Sequence, residues 1–205
     1  MEVMFSNNPN NGFFDIKQFV GFYGEISDLE ILIDNLDKKV INKKYKVKKY
    51  LSYNKDYFDI LDLDKPFLNK KIEDMSKCEY KLMLLLAVIE DKPKLIVLNY
   101  FDVGFNGKFK RKIIKLIKLI KASLGINFVV ISNDVIFVNK VVKHVVVCNK
   151  KIIKFQGKVL DAIKEGYIEE PPIYDFIKLA NEKGANLEYT LDSKDLLKDI
   201  YRSVF

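Results

Sequence analysis

The side chains that could do chemistry in this chain stand singly, at the ends of apolar segments, and most of them are neutral. Ser76 opens a run that reads as a helix, and Asn99 and Tyr100 close the apolar run Leu95–Leu98. Asn106 lies in the loop that follows, and Asn133 comes just after the stretch 127–131. Gly24 ends the run 19–23, and Asn54 follows the segment 46–53. A lone hydroxyl needs a base beside it to become a nucleophile, and Ser76 has no such partner in sequence. A phenol, with a reference pKa of about 10, cannot serve as a base near neutral pH. The single histidine, His144, precedes the run Val145–Cys148 without an Asp, Glu or Cys cluster at metal-ligand spacing, so it reads as a strand-edge residue. Gly-x-Ser-x-Gly and Cys-x-x-Cys are absent, as is a convincing pair of carboxylates. Nothing here suggests a self-contained catalytic site.

The elements that must position these residues follow from periodicity. At 205 residues and 49% hydrophobic, the chain suits one large domain, or one domain with a small appendage. It carries no linker-like or low-complexity segment and no internal repeat. Glu2–Phe5 predicts a short strand, followed by a turn rich in Asn, Pro and Gly. The run 19–23 predicts a strand covered on both faces. Leu29, Leu32, Ile33 and Leu36 then give a helix one apolar stripe, with Ser27 or Asp28 as its cap. The segment 46–53 reads as a strand. Tyr57, Phe58, Ile60, Leu61 and Leu63 read as a short helix or loop that covers the core. From Tyr80 to Ile89 a helix is apolar nearly all round and therefore buried.

Beyond it, the sequence predicts a strand over Leu95–Leu98 and a helix over Arg111–Leu124, with Ile113, Ile114, Ile117 and Ile120 inward. Strands follow over Asn127–Ile131 and Val145–Cys148, then a hairpin over 150–155 and a short helix over 159–163. The tail holds two more helices. One starts at Pro171-Pro172, where a missing N–H costs little, and carries Ile173, Phe176, Ile177 and Ala180 as its stripe. The other carries Leu196, Leu197, Ile200 and Tyr201.

Composition narrows the partners. The net charge of +7 comes almost wholly from lysine, the only arginines being Arg111 and Arg202. Nucleic-acid faces draw heavily on arginine forks, so nucleic acid is not the expected partner. Abundant Lys, Asn and Ile also fit an AT-rich genome, and a basic patch for anionic lipid or RNA stays open. The longest uninterrupted apolar run, 82–89, is far short of the roughly 20 residues a membrane span needs. Cys78 and Cys148, far apart and each in an apolar run with no signal peptide ahead, are expected as reduced, buried thiols of a cytosolic protein.

Strand, glycine and helix around Gly24 is the order of a P-loop, which needs G-x-x-x-x-G-K-[ST] to wrap phosphates and hold Mg²⁺. Counted from Gly24, the second glycine is Leu29, the lysine is Glu30 and the hydroxyl is Ile31. A carboxylate there would repel phosphate. The block Met75–Asn106 resembles the signature helix and Walker B strand of an ABC-type ATPase. Met75-Ser76-Lys77-Cys78-Glu79 stands where that family has an LSGGQ-like signature. Asn99 stands for the Mg²⁺-binding Asp, Tyr100 for the catalytic Glu and Asn106 for the D-loop Asp. Ser132-Asn133-Asp134 occupies the place of the T-H-D switch, and Asn54 falls near the Q-loop Gln. The tail, with Pro-Pro, a helix, K-G-x-x-L and a T-L-D-S helix, resembles the C-terminal extension of energy-coupling factor transporter ATPases.

The resemblance implies an α/β, P-loop NTPase-like fold, a mixed sheet flanked by helices. The family's helical subdomain is largely missing between Asn54 and Met75. It also implies a core over 1–165 and a helical extension over 166–205 that serves dimerisation. The replaced letters share only the ATP site. They therefore point to a degenerate ABC ATP-binding subunit, a pseudo-ATPase with no catalytic residue and no cofactor, acting as a structural or regulatory partner. Its expected partners are a paralogous ABC ATPase or a second copy, joined through the C-terminal helices, and a membrane transporter subunit. It would be cytoplasmic, or peripheral at the inner membrane face through a partner. The alternatives are a weakly active subunit that still uses ATP and Mg²⁺, and a basic surface for anionic lipid or RNA.

Overall fold

The computed structural model describes residues 2–6, 20–23, 36–142, 144–150 and 152–204. The helix expected after Gly24, with Gly24, Leu29, Glu30 and Ile31, lies outside the described residues.

Among the described residues, seven strands form one mixed sheet: β1 (Glu2–Ser6), β2 (Val20–Tyr23), β3 (Asp37–Lys38), β4 (Leu95–Asn99), β5 (Asn127–Ile131), β6 (His144–Asn149) and β7 (Ile152–Lys158). Their spatial order is β3-β1-β4-β5-β2-β6-β7. The middle four run parallel, while β1 is antiparallel to β4 and to β3, and β7 is antiparallel to β6. The middle strands read as unbroken apolar runs because side chains on both faces are covered. All five residues of β4 are buried. Ile96, Leu98, Phe128, Val130, Val145 and Val147 join the main core on one face. Met4, Leu95, Val97, Val129, Ile131, Val146 and Cys148 form a smaller cluster on the other, with Leu36 and Tyr100 packed against it.

The helices among the described residues are α1 (Lys55–Leu61), α2 (Lys77–Glu90), α3 (Gly107–Leu124), α4 (Val135–Val141), α5 (Val159–Lys164), α6 (Pro172–Glu182) and α7 (Ser193–Val204). Helix α2 buries Leu82, Met83 and every residue from Leu85 to Ile89, as its all-round apolarity requires. Helix α4 lies so close to β2 that a Cβ on Gly21 would stand 2.5 Å from Val138 Cγ1 and 2.8 Å from Val142 Cγ2. Only glycine admits that approach.

The segment 46–53 is not a strand. Lys46 makes a single antiparallel bridge to Lys71, and Val47–Lys49 is a 3-10 turn. Val47 and Leu51, one helical turn apart, are the residues it buries, so alternating burial never develops and the lysines stay in solvent. Between Asn54 and Met75 lie α1 and two further 3-10 turns, Lys65–Asn69 and Ile72–Asp74. Phe58, Leu61, Phe67 and Ile72 sink into the main core there, with the Phe58 and Phe67 rings edge-on at 6.2 Å. In the tail, Ile177, Leu187 and Leu196 make a small cluster between α6 and α7. Tyr174 and Leu191 tie that pair to the main core.

Candidate functional site

Asn99 and Ile131 are register partners, so the chain leaves β4 and β5 at the same end of the sheet. The Tyr100 amide donates to the Ile131 carbonyl at 2.8 Å, carrying the ladder one residue further. Tyr100 then adopts a φ of 47°, left-handed and uncommon for a side chain of this size, which turns the chain out of the strand. Asn99 is only 8% exposed, and its Oδ1 is buried with no hydrogen-bond partner among the described residues.

Three residues past Asn99 comes Asp102, and three past Ile131 comes Asp134. Both turn toward Lys110, in the first turn of α3. Lys110 Nζ donates to Asp102 Oδ2 at 3.1 Å and to Asp134 Oδ2 at 2.7 Å. Burial works to raise the Asp134 pKa, but hydrogen bonds from Lys110 and from the Phe137 amide outweigh it and hold the carboxyl below its ordinary range. Burial likewise works to lower Lys110, and the two carboxylates outweigh that and raise it. Both partners are therefore held charged. Asp134 also caps α4 by accepting from the Phe137 amide at 2.9 Å, while its own amide donates to the buried Ser132 hydroxyl. Asp102 is 3% exposed, and its second oxygen is buried without a partner among the described residues.

Helix α2 fixes the loop between β4 and α3. Lys81 Nζ donates to the Phe101 and Val103 carbonyls and lies 5.4 Å from the centre of the Phe105 ring. Burial lowers its pKa. Cys78 Sγ sits 3.4 Å from the Gly104 carbonyl oxygen, where the backbone takes a φ of 89° that glycine allows. Cys148 is buried and Cys78 only half-buried.

Ser76 caps this helix. Its hydroxyl accepts from the Glu79 amide at 3.2 Å, and the Glu79 carboxylate accepts from the Ser76 amide at 2.9 Å, a closed capping box. Lys70, 2.7 Å from that carboxylate, does most to hold it below its ordinary pKa. Asn106 caps α3 by accepting from the Phe109 amide at 2.9 Å, and Asn54 caps α1 by accepting from the Tyr57 amide at 3.1 Å. Asn133 is exposed, and His144 is the half-buried first residue of β6. No group of three metal-ligating side chains occurs among the described residues.

The structure thus brings Asn99, Tyr100 and Asn133 to one end of two adjacent strands, with Asn106 and Ser76 at the helices that flank the intervening loop. Sequence reading missed Asp102, Lys110 and Lys81. The equal three-residue offsets of Asp102 and Asp134 from paired strand ends were the available signal.

No protein-family model matches the chain. Its fold is that of ATP-binding cassettes. It superposes on the cbiO1 structure from Clostridium perfringens, part of the ABC transporter complex cbiONQ, with a TM-score of 0.59 at 14% identity, over 88% of this chain and 96% of that one. The dimeric ABC transporter cassette MJ0796 gives 0.56 at 13% identity, over 77% and 98%. In sequence, the chain is 22% identical over 204 residues to the energy-coupling factor transporter ATP-binding protein EcfA2 of Clostridium perfringens, covering 92% of this chain and 72% of that protein. It is 24% identical over 192 residues to MG303 of Mycoplasma genitalium, named as an ABC transporter ATP-binding protein, of which it spans 53%. Fold and relatives agree with the resemblance read from the sequence: the chain is related to the ATP-binding subunits of ABC transporters, the energy-coupling factor branch included.

Proposed function

We propose that this chain is a pseudo-ATPase, a non-hydrolysing structural or regulatory subunit of an ABC or energy-coupling factor type complex. It pairs with an active paralogue or a second copy through α6 and α7. The observation that carries the reading is Lys110. In ABC cassettes the loops after these two strands face Mg²⁺ and the γ-phosphate, where negative side chains are useful because a cation and attacking water need them. Here the carboxylates that the two loops carry, Asp102 and Asp134, stand at neither the metal-binding nor the water-polarising position, and both close on a lysine ammonium of the same chain. Asn99 offers a neutral amide where the family has a carboxylate, and Tyr100 offers a phenol. Among the described residues this donor set does not fit a Mg²⁺-bound nucleotide. From the sequence, Glu30 adds repulsion at the place of the P-loop lysine.

Calorimetric titration with Mg·ATP, alone and mixed with an active ATPase subunit encoded nearby, tests the proposal. No binding heat to this chain, with complex formation intact, is the expected result. Micromolar affinity, or metal-dependent turnover abolished by Ser76→Ala and Asn99→Ala, would instead establish a weakly active ATP-hydrolysing subunit.

A further inference from the structure

Helix α3 carries seven basic residues and no acidic one along 18 positions. Like charges three and four apart on a helix repel, and cations in the first turn oppose the helix dipole, so this pattern works against the helix. What holds it is the buried face of Ile113, Ile114, Leu116, Ile117 and Ile120. Two of the cations serve the fold, Lys110 with Asp102 and Asp134, and Lys112 with Asp62. Lys108, Arg111, Lys115 and Lys118 are all exposed and make no ion pair among the described residues, although Lys108 is close enough to Asp62 to help lower its pKa. Their spacing of three, four and three puts them in one outward row about 15 Å long. The chain's lysine-rich composition does not by itself give this row. Helix α7, equally exposed, interleaves Lys194, Lys198 and Arg202 with Asp195 and Asp199.

We infer that this row docks on an anionic lipid bilayer, an interaction that does not depend on the fate of the ATP site. A straight row of ammonium groups on flexible stems matches the diffuse negative potential of a flat headgroup surface, which needs charge but no shaped pocket. Single-stranded RNA is favoured less. Its binders add aromatic platforms for bases, and the row has no exposed aromatic residue. The apolar face of α3 is already committed to the core, so the contact is electrostatic and shallow, without insertion.

Co-sedimentation of the full chain with vesicles tests the inference, comparing equimolar phosphatidylglycerol and phosphatidylcholine with phosphatidylcholine alone. Binding is expected only to the anionic vesicles and is lost at high salt. Each basic side chain near such a surface is worth about a fivefold change in partitioning, so Lys115→Gln with Lys118→Gln lowers it about 25-fold. A control, Lys44→Gln with Lys48→Gln, removes the same charge from exposed positions elsewhere and changes it less than threefold. Circular dichroism melts confirm that both variants fold. Absence of binding to anionic vesicles overturns the inference, and so does an equal loss in the control, which would make the effect one of net charge. Tighter binding to polyuridylate than to the vesicles at equal salt, lost in the same variant, would reassign the row to RNA.

Discussion

The loops that leave β4 and β5, and the helical pair at the end of the chain, use their side chains in opposite ways. At the strand ends, polar groups turn inward on one another. Ser76, Asn106 and Asp134 cap helices, and Lys110 holds two carboxylates. The two acceptor oxygens left over, on Asn99 and Asp102, are sealed from solvent. In the tail, apolar groups turn outward. Phe176 is 50% exposed and Leu197 54%, although each neighbours a residue buried in the cluster between α6 and α7. A site whose polar groups mostly cap helices, join an internal ion pair or are sealed from solvent has little to offer a phosphate, and a helix pair with apolar residues on both sides has a face to offer another protein. The contrast is in keeping with the proposed assembly role.

Removing Lys110 breaks the closed side of that contrast and should have the largest effect. In Lys110→Met, a nearly buried Asp102 and a half-buried Asp134 lose their shared cation, a cost of about 3 kcal/mol by analogy with one-sided deletion of buried pairs. The pH dependence should also weaken in acid. In the native chain the depressed Asp134 pKa contributes stability above the ordinary carboxylate pKa, and that is lost as pH falls through the folded value. Lys110, with a raised pKa, keeps its contribution until pH climbs past the ordinary lysine value. Without Lys110, only the Phe137 and Ile136 amides hold the Asp134 carboxyl down against burial, so the variant should lose less stability than the native chain as pH falls into the acid range. Urea denaturation across that range reads both effects. A variant with native stability and an unchanged acid limb would show that the triad is incidental.

How much of this was legible in the sequence depended on how local the cause was. Strand β5 was read to its ends, and β4 to within one residue, because the middle of a parallel sheet buries every position. Helix α3 begins at Gly107 rather than Arg111 because its cap is Asn106, and the lysines that open it carry no apolar period. The segment 46–53 misled because Val47, Tyr50 and Leu51 suggest a strand, while its partner is a single bridge to Lys71. Helix α4 went unread: five of its seven residues are Val, Ile or Phe, and only Asp134 ahead of them marks a start. The replaced letters at 99, 100 and 133 were visible one by one. Lys110 was not, since its carboxylates lie 8 and 24 residues away and only folding brings them together.

A smaller break in the same region is Ser76→Ala. If the hydroxyl serves only the capping box, its loss costs about 1 kcal/mol, and Ser76→Asp, which caps equally well, restores most of that. Thermal melts of the pair measure it. Failure of aspartate to rescue would mean that the hydroxyl does something besides capping, and the closed description of this edge would then be incomplete.

The smallest effect on stability, and the sharpest on assembly, belongs to the open side. Phe176→Ser with Leu197→Ser removes two half-exposed apolar groups, and surface changes of this kind usually stay within about 0.5 kcal/mol. If the outward faces of α6 and α7 hold a second copy, sedimentation velocity should show self-association of the native chain that rises with concentration and disappears in the variant, at unchanged melting temperature. A large drop in melting temperature would make Phe176 and Leu197 part of the core and remove the contrast. An unchanged sedimentation profile in which the native chain associates would move the interface elsewhere. If the native chain stays monomeric and the variant fails only to bind an active ATPase subunit, the helices pair with a paralogue and not with themselves. The distinction follows from geometry. A self-pairing face must be complementary to its own two-fold image, whereas a face for a paralogue needs a match only on the other chain.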